Sequence, residues 1–507
     1  MANIKYVCLS DLHLGAHTAL FTDTPSIDKA NGAVSAGPLQ KAFSEAMVAT
    51  MAAYYPGEAT PSPAGLVLLG DIFDFSLGTP RASIDTFTAL LTSLKTAGAQ
   101  TWFKQFAFVP GNHDHELWTA TRLQNMVGTS RDLNKYQHTT SAFGVPSAQP
   151  VAALINQVLL DNGFFSGATT FYPNMGLASA DKTKAVVLHH GHFIEQMYTV
   201  MSTLTAELNG STDVPLDVET LEKLNGSWID FVWSSDGDDG RLGADIRIGF
   251  EYLVTGREDI RLDHRLARLL AKTLVGRLPI PQTANMRKLT EIVAKAAVDS
   301  TVGQFGQMER FSYFQTLGAD GRAGLTSYLS GPVRMQIEAE LGMAAQTGGS
   351  VTVTGPVVKD LTFIFGHTHK PFERRVIAPG FDTPPAVYNT GGWDLDMPMF
   401  GTKLGAAAVF IDDDLNVASL RLCDVPEQDG AAEGAPVAAV RVETADGVPD
   451  GNPLATRLNT ALLTTSVQVA WTAFSAAADA AYRTKQAYIL SRLRDEDRRD
   501  RKTGRVL

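Results

Sequence analysis

Cysteine is almost missing from this chain: Cys8 and Cys423 are the only two in 507 residues. Two distant thiols, neither in a Cys-x-x-Cys pair, cannot form a disulfide framework, so a reducing compartment fits best. Long apolar runs are missing as well. No uninterrupted stretch reaches the ~18 residues of a spanning helix. The opening MANIKYVCLSDLH has one Lys and a short apolar run, without the long apolar region of a secretory signal. The expected compartment is cytoplasmic, with peripheral membrane or lipid contact left open. An excess of positive charge is also lacking. Against 43 Lys and Arg stand 54 Asp and Glu, for a formal net charge of -11, which disfavours nucleic acid as a partner. No internal repeat is present.

What is there is an ordinary globular composition, 44% hydrophobic, on a length that suggests about three domain-sized units. Five short apolar runs end in polar residues: KYVCLSDLH (5 to 13), GLVLLGDIFD (65 to 74), FAFVPGNHD (106 to 114), AVVLHHGH (185 to 192) and LTFIFGHTH (361 to 369). Runs of this length, rich in Val, Leu, Ile and Phe and stopped by Gly or polar residues, predict buried strands. Each strand delivers its polar residues at its C-terminal end, where α/β sheets carry their sites. Helical patterns at 38 to 55 and 83 to 98 alternate with the early strands, which predicts an α/β layered core. Further strands at AVYNTGGW, KLGAAAVFIDD and VASLRLCDV would add a second sheet.

The core is expected over 1-195 plus 356-424. Residues 196-355 are too many for a loop and predict an inserted helical domain, a cap or specificity element. Within it, IRLDHRLARLLAKTLVGRL (260 to 278) reads as an amphipathic helix, packed or solvated, with a membrane-surface role as the alternative. Trp228, Phe231 and Trp233 nearby read as core packing. Residues 425-453, rich in Ala, Gly, Pro, Val and acidic side chains, read as a linker. Residues 454-507 predict a helical C-terminal extension, solvated or serving oligomerisation.

Asp11 and His13, at positions i and i+2 of a strand end, share a side and can grip one cation. Asp71, in Gly70-Asp71-Ile72-Phe73-Asp74, offers two carboxylate oxygens that can bridge two ions. Asn112 supplies a neutral carbonyl oxygen suited to a hard divalent ion. His190, His367 and His369 complete the set with imidazole nitrogen. The mixture fits Mn, Fe or Zn without choosing among them. Two ions can polarise phosphoryl oxygens and acidify a bridging water. His113, beside Asn112, is the candidate to protonate the leaving oxygen, with Asp74 orienting it. His17, His115, Arg374 and Arg375 lie near the motifs, and ordinary loop or surface duties explain them as well as phosphate contact does.

The ordered set Asp11-x-His13, Gly70-Asp71-x-x-Asp74, Gly111-Asn112-His113-Asp114, His190-Gly191-His192 and Gly366-His367-Thr368-His369 resembles the calcineurin-like metallophosphoesterase superfamily. The resemblance implies a four-layer α/β/β/α sandwich. It also implies one metal held by Asp11, His13, Asp71 and His369, and another held by Asp71, Asn112, His190 and His367. In LHHGHF three histidines compete. The family's ligand is typically followed by Gly, which points to His190 over His189 or His192. The arginines that phosphoprotein phosphatases of the superfamily carry after the Gly-Asp and Asn-His motifs are replaced here by Phe75 and by His115-Glu116-Leu117, which disfavours a phosphoprotein substrate. The expected function is hydrolysis of a phosphomonoester, phosphodiester or pyrophosphate through a hydroxide bridging two divalent metal ions. A non-catalytic scaffold on the same fold and a nuclease are the alternatives.

Overall fold

A computed structural model describes residues 2–23, 35–57, 62–129, 137–164, 167–208, 216–233, 309, 316–342, 344–347, 350–353, 358–395, 405–424, 437, 439–447 and 451–503. The predicted helix at 260 to 278 lies outside the described residues, as does the side chain of Phe231.

The apolar runs form strands, and their alternation decides what each face covers. Strands β1 (Ile4–Leu9), β2 (Ala64–Leu68), β3 (Phe103–Phe108) and β4 (Ala168–Thr170) pair in parallel in that order. In β1, Val7 and Leu9 join one apolar cluster while Tyr6 and Cys8 join another. Leu66 and Leu68 of β2 likewise face away from Val67. This is the period of two that a pleated strand imposes, and here both faces are apolar because both are covered.

The second sheet begins, in chain order, with β5 (Asn174–Ala178) and β6 (Lys184–His189), which pair antiparallel. A small ribbon, β7 (Ala344–Thr347) with β8 (Ser350–Val353), stands separately. Strand β9 (Asp360–Phe365) then pairs in parallel with β6, and β10 (Phe372–Arg375) and β11 (Ala386–Asn389) complete the order β10-β11-β9-β6-β5. The chain returns to the first sheet with β12 (Gly405–Asp412), β13 (Val417–Asp424) and β14 (Arg441–Glu443), giving seven strands in the order β14-β13-β12-β1-β2-β3-β4. Strand β14 falls within the span that the sequence assigned to a linker.

Between the sheets lie Cys8, Val67, Val109, Leu188, Ile364 and Ile411, all buried. Outside the first sheet pack α1 (Pro38–Tyr54) and α2 (Pro80–Thr96). Thr79 starts α2 by accepting the Ala82 amide at 3.1 Å, and Pro80 takes the first helical position, where its missing N–H costs nothing. The chain continues through α3 (His115–Thr129) and α4 (Ala153–Asp161). Next come α5 (Val200–Leu208) and α6 (Val218–Trp233), then α7 (Ala319–Tyr328) and α8 (Arg334–Leu341). Leu221 and Ile229 of α6, with Leu325 of α7 and Ile337 of α8, cover the outer face of the second sheet beside Phe363 and Phe365. The result is the expected α/β/β/α layering.

The C-terminal helices α9 (Pro453–Leu462) and α10 (Thr465–Thr503) add Leu454, Leu458, Trp471 and Phe474 to the same cluster as α1. The Trp471 indole donates to Thr50 Oγ1 at 2.8 Å. Lys485 is buried on α10 and donates to the carbonyls of His17 at 2.8 Å and Thr22 at 2.6 Å, so this helix braces the loop after the Asp11-x-His13 motif. No described helix is long and apolar enough to cross a membrane.

Candidate metal centre

Each motif occupies the turn that follows a strand, and the turns are stitched to one another. The Asp11 amide donates to Gly70 O at 3.0 Å, His13 to Asp71 O at 2.9 Å, and Gly366 to His190 O at 2.8 Å. Side chains add to this: His113 N donates to Asp71 Oδ1 at 2.8 Å and His367 N to Asp11 Oδ1 at 2.9 Å. The backbone is strained where the donors sit. Among the described residues, seven non-glycine residues have positive φ, and five are Asp11 (52°), His13 (44°), Asp71 (50°), His367 (65°) and His369 (55°). Such conformations cost on the order of 1–3 kcal/mol each and persist where surrounding structure holds them for a function. Gly70 permits the approach: its φ is +76°, and a Cβ there would stand 2.4 Å from the His190 ring.

Among the described residues three donor groups result, all buried; one of them, His13, Asp74 and His113, overlaps the first of the other two at His13. In the first, the ligand atoms of Asp11, His13 and His369 lie within 4.8 Å of one another. His13 Nε2 is 3.0 Å from His369 Nε2, which in turn is 3.4 Å from Asp11 Oδ1. In the second, Asp71, His190 and His367 meet the same distance condition. His190 Nε2 is 3.2 Å from Asp71 Oδ2 and 3.0 Å from Asn112 Oδ1. Asp71 Oδ2 also lies 3.8 Å from His13 Nε2, so one carboxylate oxygen stands between the two groups. Imidazole nitrogens facing each other at hydrogen-bond distance, with carboxylates and an amide oxygen around them, fit a pair of divalent ions.

The electrostatics agree. Burial opposes charge on Asp71, yet His190, His113 and His13 outweigh it and hold the carboxyl well below the usual range. Burial likewise opposes charge on His190, but Asp71, Asp11 and Asp114 raise it to about 9. His367 is lowered by burial, against the attraction of Glu195, whose Oε2 lies 3.3 Å from its Nε2.

The three competing histidines separate. His190 is brought to Asp71 and Asn112, with Nδ1 at 3.2 Å from Leu69 O. His189 packs its ring 4.6 Å from Tyr328, and His192 sets Nε2 at 3.3 Å from the Tyr172 hydroxyl. Of the other residues noted near the motifs, His17 stacks on Tyr488 and Arg375 pairs with Asp446 at 2.6 Å. Arg374 lies over Phe372.

His113 and Asp74 are together, and Asp74 does more than the sequence indicated. Its Oδ2 lies 3.3 Å from His113 Nδ1 and 2.8 Å from His13 Nδ1, while Oδ1 accepts from Ser76 N, Ser76 Oγ and Leu77 N. The carboxylate is held below its usual range by these histidines, against burial. One residue thus orients both His13, a member of the first donor group, and the candidate proton donor. Asp74→Asn is expected to weaken metal affinity by about 10–100-fold, read by metal titration, because partners behind ligating histidines have that influence.

Sequence reasoning also missed Asp114, whose oxygens accept from the amides of Gly111, Ile72 and Phe73 and so tie two motif turns together. Burial and then Asp71 push it up to about 7, against those amides. A carboxylate accepting three amides is not signalled by one Asp in a motif. Trp233 was read as packing, yet its ring lies 4.4 Å from that of His113.

His115 links the centre to α6. Its Nδ1 is 2.7 Å from Asp230 Oδ1 and its Nε2 is 3.3 Å from Glu222. Burial disfavours its charge, but Glu222 and Asp230 raise it to about 10. A folded value above the unfolded ~6.5 gives stability that is complete below that pH and is lost as pH rises through about 10. The Tm gap between wild type and His115→Gln is therefore expected to be widest near about pH 6 and to narrow toward about pH 10.

A donor set of this kind suits divalent-ion chemistry on phosphate esters, and comparison with known families agrees. Residues 4–240 match the model of the calcineurin-like phosphoesterase family. Over that span the chain is similar to the family, and its ordered motifs and buried donor groups are in keeping with a metal-dependent phosphoesterase. The matched span ends before His367 and His369, which β9 brings back to the centre from its place beside β6. A crystal structure of a dimetal phosphatase from Danio rerio is similar over 83% of this chain and 96% of that chain, at 10% identity and a TM-score of 0.27. A likeness that loose adds no argument. No curated protein matches the chain.

Proposed function

We propose that the chain hydrolyses a phosphomonoester, phosphodiester or pyrophosphate at a centre of two divalent ions, with α6 and the rest of the 196-355 insert shaping substrate choice. The observation that carries this reading is Asp71 Oδ2, set 3.2 Å from His190 Nε2 and 3.8 Å from His13 Nε2, between two groups of ligand atoms. Asp11, His13 and His369 would hold one ion, and Asn112, His190 and His367 the other, with Asp71 shared. When bound, such ions polarise phosphoryl oxygens and lower the pKa of water.

The chain's own residues supply the rest. Asp74 and Ser76 engage Nδ1 of His113, which fixes the ring and makes Nε2 the atom that hands a proton to the departing oxygen. Burial of Asp74 and His113 keeps bulk water from competing for that proton. The test is a panel of p-nitrophenyl phosphate, bis-p-nitrophenyl phosphate and a sugar nucleotide, assayed after chelation and again after adding Mn, Fe or Zn. Turnover that disappears on chelation and returns with metal supports the reading; no turnover of any ester with any metal contradicts it.

A further inference from the structure

The proton-donor side of the centre has a neighbour that the proposed reaction does not use. Trp233, the last residue of α6, is 4% exposed, and its ring is tilted 35° to that of His113 at 4.4 Å between centroids. Its Nε1–H is buried and meets no acceptor among the described residues. A buried donor without an acceptor is costly, and buried indoles ordinarily find one. Three others here do: Trp118 donates to His138 O at 3.1 Å, Trp228 to Met197 O at 2.9 Å and Trp471 to Thr50 Oγ1 at 2.8 Å. Trp393 shares the deficit but is walled in by Phe21, Phe43 and Phe474, in the apolar cluster on the helix side of the first sheet.

Trp233 is held where it is by two attachments of α6 to α3 and its surroundings. Glu222, fully buried, accepts from Arg122 Nη1 at 2.9 Å and from the Tyr172 hydroxyl at 2.9 Å. Two to three turns further on, Asp230 accepts from Thr119 Oγ1 at 2.8 Å and lies 2.7 Å from His115 Nδ1. Buried ionic contacts of this kind fix geometry more than they add stability. The geometry they fix sets an indole carrying an unspent donor against the ring of His113.

Resting on the phosphoesterase reading above, we propose that Trp233 is a substrate-binding residue. Its N–H donates to an oxygen of the phosphate ester on the side where His113 acts, and its ring steadies His113. A phosphate oxygen supplies the acceptor that the protein withholds, and the donor comes from outside the core, from the insert.

The experiment uses the full chain loaded with Mn and inorganic phosphate as the probe. Trp233→Phe keeps a ring against His113 and removes the N–H; phosphate binding by calorimetry is expected to weaken by roughly 10-fold, and KM for bis-p-nitrophenyl phosphate to rise with it, kcat changing less. Trp233→Tyr, which returns a donor to an aromatic ring, recovers part of the affinity. The phosphate-induced change in tryptophan fluorescence of the wild type disappears in the Phe variant. Should the Phe variant melt early, the Phe and Tyr variants are compared with each other, and equal affinities overturn the proposal. Wild-type affinity and an unchanged fluorescence response in Trp233→Phe overturn the role of Trp233 alone and leave the phosphoesterase reading standing. A wild type that neither hydrolyses a phosphate ester nor binds phosphate overturns both.

Discussion

Asp71→Ala is expected to lower kcat/KM for any phosphate ester by on the order of 10³-fold or more, since the several kcal/mol that a metal pair contributes depend on both ions. The size of the effect comes from position. Asp71 is 1% exposed, its Oδ1 accepts the His113 amide at 2.8 Å, and its Oδ2 faces both groups of ligand atoms. Removing it takes away the one carboxylate that both ions would share and leaves His190 without the carboxylate 3.2 Å from its Nε2. Asp71→Asn separates these contributions. It keeps the shape and an oxygen acceptor but not the charge, so residual metal binding above that of the alanine variant is expected, with activity still strongly reduced. Equilibrium dialysis with Mn, run beside the kinetic assay, checks both.

His113→Ala should behave differently. General acid catalysis typically contributes about 10²–10⁴-fold, and that loss is expected in kcat while metal content stays at the wild-type level. The loss should also depend on the leaving group. An alkyl phosphate, whose departing oxygen needs a proton, should lose most of the rate; a p-nitrophenyl ester, whose phenolate leaves unaided, should lose far less. A His113→Ala variant that slows both esters equally would assign the residue to positioning and not to proton delivery. Because Asp74 contacts His13 as well as His113, Asp74 substitutions cannot make this distinction, and the His113 variant can.

Much of this arrangement was legible in the sequence because strand ends are local. GLVLLGDIFD and LTFIFGHTH each put apolar residues, a glycine and metal-type donors within ten residues, and a pleated strand that ends there can only present the donors at its C-terminal edge. The alternation of Tyr6 and Cys8 against Val7 and Leu9 was equally local, although which layer each face would meet was not. The parts that escaped are long-range. Residues 454-507 read as helix from their spacing, but nothing in them says that Trp471 will donate to Thr50 or that Lys485 will bury its ammonium against the His17 and Thr22 carbonyls. Strand β14 is only Arg441–Glu443, too short to leave a periodic mark in a stretch of Ala, Gly and Pro. Trp233 stands 120 positions after His113, and an aromatic residue on an amphipathic helix reads as packing until the fold shows its neighbour. The resemblance pointed to His190 over His189 and His192, and the fold adds the physical reason: adjacent residues on a strand end point to opposite sides, and His190 Nε2 lies 3.2 Å from Asp71 Oδ2.

The strained turns give a second reason to expect ions at this centre. Five positive-φ residues at motif positions cost the apo chain several kcal/mol by the usual ~1–3 kcal/mol each, and ligand binding to that geometry offsets the cost. A two-ion centre that depends on Asp71 is tested most directly by metal content, measured by plasma mass spectrometry on chain saturated with Mn and freed of excess. About two ions per chain in the wild type, falling to one or fewer in Asp71→Ala while His113→Ala keeps about two, is the expected result. A wild type that retains no metal, or an Asp71→Ala variant that retains as much as the wild type, would contradict it.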